Sequence, residues 1–251
     1  MKRSWRLLLA PVVIALALWP LAAVYRHRAQ VRDAQRATQE LTHDVNRLHY
    51  EGAPPLAVLQ SLLERGANSK VHGEDNATVL HLVVAAPCDK DDPLAMLASE
   101  TSDACEAQRV VLINRLVAEG ADIDAQIALD GSTPLMRAVD SARPLAVRAL
   151  LDKGAKVNLV RHDYSYFASE PYQTELGAAD TTLVYLSQPM QEQLSGKQLT
   201  ALAARTSPQQ LKSDFARYQA RSHRDMREII AMLKQAGARQ ATAREADPNS
   251  R

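Results

Sequence analysis

The chain has 251 residues, 46% of them hydrophobic, with 30 basic against 29 acidic residues and a net charge of +1. That is room for one or two domains with a sizeable core. The balance excludes the basic excess or stripe that marks a nucleic-acid footprint, and no run of like charge forms an acidic or basic tail.

The N-terminus comes first in chain order. Lys2, Arg3 and Arg6 precede an uncharged stretch from Leu7 to Tyr25, and Arg26, His27 and Arg28 follow it. As a helix this stretch spans roughly 28 Å, close to the thickness of a bilayer hydrocarbon core. It is longer than the apolar core of a cleaved signal peptide, and its end, Pro20-Leu21-Ala22-Ala23-Val24-Tyr25, carries no clean small-x-small site. Residues 7–25 are therefore read as a single-pass transmembrane anchor, with a cleaved signal as the alternative. Positive residues flank the segment on both sides, so their count alone does not orient it. Residues 26–38 are polar and helix-favouring, a juxtamembrane stalk.

A helix over about Gln35–Tyr50 follows, with Leu41, Val45 and Leu48 as its apolar stripe. Then a Gly-Ala pair that follows a Leu-rich helix recurs four times, at Gly66, Gly120, Gly154 and Gly237. Four residues before each Gly stand Leu62, Leu116, Leu150 and Leu233, and seven before stand Leu59, Ile113, Val147 and Ile230. Residues three apart share a helix face, so each copy predicts a helix with the same buried stripe, closed by a left-handed glycine. A helix start precedes it: Thr133-Pro134-Leu135 in one copy, Thr78-Val79-Leu80-His81 in another, and a degraded Asp180-Thr181-Thr182-Leu183 in the last.

This pattern resembles the ankyrin repeat, a short hairpin followed by two antiparallel helices. The best copy runs from Asp130 to Asn158, and the copy before it carries Thr78–Ala86 and closes on Gly120–Ala125. The resemblance implies an all-α fold: an ankyrin-repeat helical solenoid of about four repeats over residues 39–240, after the N-terminal helix. The Gly-Ala pairs lie 54, 34 and 83 residues apart, against a family period of about 33. Inserts are thus expected near 87–107, 160–179 and 187–222. In the last of these, Leu194, Leu199, Leu202, Leu211, Phe215 and Tyr218 predict one or two extra helices. Residues 241–251 have no apolar pattern and are read as a disordered tail.

Cys88 and Cys105 are the only cysteines, and they bracket the first insert. In an exported domain such a pair reads as one disulfide; in a cytosolic domain it would be two free thiols. No catalytic constellation, metal-ligand spacing or phosphate-binding loop is present, so no catalytic residue, cofactor or metal is expected. His81 falls on the histidine position of the family's helix start, which implies a structural bond between repeats.

Ankyrin arrays bind partners through hairpin tips and the first helix of each pair. The resemblance thus singles out Lys70, His72, Glu74, Asp75, Asp124, Asp130, Arg161 and His162. The cluster Tyr164, Tyr166, Phe167 and Tyr172 joins them, because tyrosine is enriched at interface hot spots; the alternative is that these rings pack the insert onto the repeats. The expected function is to bind one protein partner, not to catalyse. The setting is a bacterial inner membrane, with the repeats in the periplasm. Within that class the favoured reading is an immunity protein occluding a toxic effector, such as a lipase delivered by type VI secretion. The rivals are an accessory or scaffold protein for an endogenous periplasmic enzyme, a cytoplasmic-facing membrane tether, and an enzyme built into the last insert.

Overall fold

A computed structural model describes residues 4–88, 103–162, 172–242 and 245; the side chains of 4–22, 49–51 and 103 lie outside that set. Helices α1 (Ser4–Glu51), α2 (Leu56–Glu64), α3 (Val79–Ala85), α4 (Asp103–Ala118), α5 (Pro134–Asp140) and α6 (Pro144–Asp152) come first. A two-residue hairpin, β1 (Arg161–His162) with β2 (Tyr172–Gln173), precedes α7 (Glu175–Leu186). Then come α8 (Met190–Gln193), α9 (Gly196–Ala203) and α10 (Pro208–Gln235).

The helices stack in two layers. In one, α1 packs on α3, α3 on α5 and α5 on α7; in the other, α2 packs on α4, α4 on α6 and α6 on α10. Each first-layer helix also packs on its partner in the second. The predicted stripes fill the space between them: Leu41, Leu59, Leu80, Ile113, Leu116, Leu135, Val147, Leu150 and Leu233 are fully buried. Burial of this kind stabilises by roughly 1.5–3 kcal/mol per large side chain.

Local chemistry sets the helix ends. Thr133 caps α5 by accepting from the Met136 amide at 3.1 Å, with Pro134 in the first turn. Gly66, Gly120, Gly154 and Gly237 all take φ between 85° and 90°, the left-handed conformation that lets a helix end in a tight turn.

Hydrogen bonds and the disulfide define two opposite edges of the stack. At one, the helix-to-helix turns meet: Leu56 N donates to Pro87 O at 2.9 Å, Cys88 is bonded to Cys105, and Arg143 donates to Ala86 O at 3.0 Å. At the other, the hairpins lie side by side: Ala128 N donates to Asp75 O at 2.6 Å and His162 N to Asp130 O at 2.7 Å.

Several expectations change. The stalk is not a separate element, because α1 runs unbroken into the first repeat; no Gly or Pro interrupts it between Leu21 and Glu51. Repeat packing begins before residue 39. Arg65 pairs with Asp33 at 2.9 Å and with Glu40 at 3.0 Å, and Ala37 is fully buried. The first insert ends before Asp103, where α4 starts, and the second ends at Gln173. The last repeat begins at Thr174-Glu175-Leu176, not at Asp180, with Thr174 as the N-cap residue of α7. The third insert holds α8, α9 and the first half of α10, whose second half is the closing helix of the repeat. Its own small core is Leu194, Leu202, Leu211 and Phe215, flanked by Met190, Leu199 and Tyr218. The start of the tail is tied down: Arg239 pairs with Glu245 at 2.8 Å and Gln240 donates to Asp180 at 2.5 Å.

Among the described residues, no helix is long and apolar enough to cross a membrane. The anchor expected over 7–25 falls almost wholly on residues 4–22, whose side chains are outside the described set.

Candidate partner-binding surface

The first hairpin is built on α1. Asn68 N donates to Thr38 Oγ1 at 3.0 Å and Glu74 N to Asn46 Oδ1 at 2.9 Å. Asn76 makes the left-handed turn (φ 64°) and donates to Gln126 O at 2.9 Å, which ties this hairpin to the next. Lys70, His72 and Glu74 are exposed. Asp75 is half-buried, and its carboxylate accepts from the Ala77 amide at 3.0 Å, so it shapes the turn.

The acidic residues of the second hairpin serve the fold. Asp124 accepts from Lys156 N at 2.8 Å and pairs with Lys156 Nζ at 3.3 Å. Asp130 accepts from Ser132 N at 2.8 Å, from Ser132 Oγ at 2.7 Å and from Arg137 at 3.2 Å. Leu129, which the sequence reading passed over, is 48% exposed beside it.

In the third hairpin Arg161 is buried and paired with Asp140 on α5, so it too is a structural residue. His162 and Tyr172 meet edge to face at 4.8 Å across the strands. Tyr164, Tyr166 and Phe167 lie outside the described residues. The first helices of the pairs offer less than expected. Leu82, Met136 and Ala178 are fully buried, and the part-exposed Arg137 and Asp140 are paired with Asp130 and Arg161. The row of hairpin tips is the more exposed part of this surface, together with Asp180 and Val184 on α7.

His81 plays the expected part. Thr78 N donates to its Nδ1 at 3.2 Å, which leaves Nε2 to donate to Ser132 O of the next repeat at 3.2 Å. Burial holds its pKa down at about 4, so it is neutral at pH 7.

Two fully buried charges were not foreseen. Arg109 is fully buried on α4, donating to Val83 O and pairing with Glu106, which also binds Arg143 at 2.5 Å. Burial, with the Arg143 charge adding, lowers its pKa to about 10. Glu175 is fully buried at the start of α7; its Oε2 accepts from Asn158 N at 2.7 Å and its Oε1 has no partner. Burial pushes its pKa up to about 7.

Cys88 and Cys105 form a disulfide, their Cα atoms 5.9 Å apart. With Glu106 they make a close group of possible metal ligands, but the sulfurs are bonded to each other and the carboxylate is held by two arginines. A shallow groove beside the last insert is lined by Ser187, Gln219, Ala220, His223 and Arg227. Ser187 Oγ lies 3.4 Å from His223 Nε2 but donates to Leu183 O at 2.8 Å, so its proton points away from the imidazole.

No curated protein sequence matches this chain. Residues 130–159, the span of α5, α6 and the hairpin turn before them, match the family description "Ankyrin repeat". An ankyrin repeat therefore lies at the centre of the stack, and repeats of this kind generally mediate protein–protein interaction.

Proposed function

We propose that this chain is a membrane-anchored ankyrin-repeat protein of the periplasm that binds one protein partner with the tips of its hairpins. The observation that carries the reading is the matched repeat at 130–159, set within a ladder of helix pairs whose hairpins bond to one another. Extended to its neighbours, that ladder is a four-repeat solenoid, a rigid platform that loses little entropy on binding. Lys70, His72, Glu74 and Leu129 form its exposed edge.

The disulfide supports an oxidising compartment, and the uncharged segment 7–25 supports an anchor. Inhibition of a toxic effector, such as a lipase delivered by type VI secretion, is the favoured role within this class. It rests on the class of small anchored periplasmic binders, not on a particular side chain.

The test is capture of the partner from native membranes, followed by titration of the purified partner. A Leu129→Asp, His72→Ala variant is expected to keep its helical circular dichroism and bind at least tenfold more weakly, the scale of a lost hot spot of about 1.4 kcal/mol or more. Unchanged affinity in the folded variant would move the interface off the hairpin tips.

A further inference from the structure

The apolar segment and the first repeat share one helix, and this fixes more than attachment. After Pro20 no Gly or Pro breaks α1 before its end at Glu51. Its repeat end is locked: Arg65 reaches Asp33 and Glu40, a Cβ on Gly66 would stand 3.2 Å from that of Ala34, and Asn68 bonds Thr38. These contacts all join the N-terminal side of the repeat part of α1 to the point where α2 gives way to its hairpin.

The later repeats follow the same sense. The carboxylate of Glu119, at the end of α4, accepts from Ser69 of the first hairpin at 2.6 Å. Arg239, after α10, donates through its amide to Asn158 of the third hairpin at 2.8 Å. The second-layer helices therefore all end on the edge toward which α1 runs back to its apolar segment. The turns carrying the disulfide insert and α8–α9 lie on the opposite edge, beside Gly52–Pro55.

We infer that the unbroken α1 holds the hairpin edge of the stack facing the lipid headgroups and turns both long insertions away from the bilayer. The inference rests on the anchor reading of residues 7–25. Asp33 and Ala37 stand eight and twelve residues beyond Tyr25, which sets the base of the first hairpin about 12–18 Å from the end of the apolar segment at 1.5 Å per residue. Arg26, Arg28 and Arg32 fill the interval, the depth of a headgroup layer. The tip of the first hairpin, where Glu74 bonds Asn46 of α1, stands about 30 Å along the same helix, so a protein gripped there is held above the headgroup layer.

The experiment uses the full chain in vesicles of phosphatidylcholine and phosphatidylglycerol, doped with a headgroup nitroxide lipid. A fluorophore is placed on Lys153→Cys, at the hairpin edge, or on Lys197→Cys, on α9, with the native disulfide left oxidised. Both lysines are exposed. The Lys153 probe is expected to lose most of its emission and the Lys197 probe almost none. A Gly-Pro-Gly insertion after Gln30 should abolish the difference. Equal quenching in protein that floats with the vesicles would overturn the orientation alone. Protein that does not float would overturn the orientation and the anchor together.

Discussion

The matched repeat at 130–159 and the helix pair that opens at Thr174 occupy the same two layers but treat polar groups differently. In the first, Pro134 fills the first turn of α5, Thr133 satisfies the cap, and His81 from the preceding repeat closes onto Ser132 O. In the second, Glu175 takes the proline's place, and a carboxyl goes into the core with one oxygen unpartnered. Its apolar content is also divided: Met226, Ile229 and Leu233 join the main core, while Leu211 and Phe215 belong to a separate cluster. A helix pair can hold its place in the stack without the side chains that mark the matched repeat, provided its apolar stripe is present.

The largest expected effects break this comparison directly. Leu150→Ala removes a fully buried leucine from the regular repeat and should cost about 2–5 kcal/mol in urea unfolding. Leu202→Ala, in the satellite cluster, should instead open the insertion locally. Hydrogen exchange in α9 should then rise while the main transition shifts little.

Reduction of Cys88–Cys105, which closes a span of 17 residues, should lower stability by about 3 kcal/mol in the chain-entropy picture. Thiol titration of protein taken from cells without reductant checks the pairing, and two free thiols would remove the argument for an oxidising compartment.

The two regions should also respond to pH in opposite senses. Glu175, with its folded pKa raised from 4.5 to about 7, contributes fully below pH 4.5, and that contribution is lost as pH rises through about 7. Glu175→Gln keeps an acceptor for Asn158 N and should stabilise at pH 8, by at most about 3 kcal/mol at 1.4 kcal/mol per unit, with no gain at pH 4. His81, with its folded pKa lowered from 6.5 to about 4, contributes above pH 6.5 and loses that contribution as pH falls through about 4. His81→Gln should flatten the acid side of a melting-temperature profile and leave the alkaline side unchanged. A wild-type profile without opposed slopes would show that burial at the two sites is relieved by solvent.

Much of the fold was legible because it is carried by spacing. The Gly-Ala pairs, the leucines before them and Thr133-Pro134 are local signals, and each marks an element that formed. The start of α7 was missed because Glu175 and Gly177 stand where proline and histidine would have marked it. The surface was less legible, because a side chain's partner is not a local property. Asp124 and Arg161 read as free hairpin charges until the fold brings Lys156 and Asp140 to them, 32 and 21 residues away. Arg109 carried no signal in the sequence; only the stacking of α4 on α3 buries it against Val83 O.

The last insertion leaves the stack at Ser187 and returns at His223, two side chains 3.4 Å apart. Everything between them is a closed excursion, entered and left at one point. An exchange of residues 188–222 for a short turn such as Ser141-Ala142-Arg143 is therefore expected to leave the path of the repeats unaltered. The excursion can be replaced as readily by a different sequence of any length whose ends meet. The repeats can thus stay constant among descendants while this face of the molecule is rewritten.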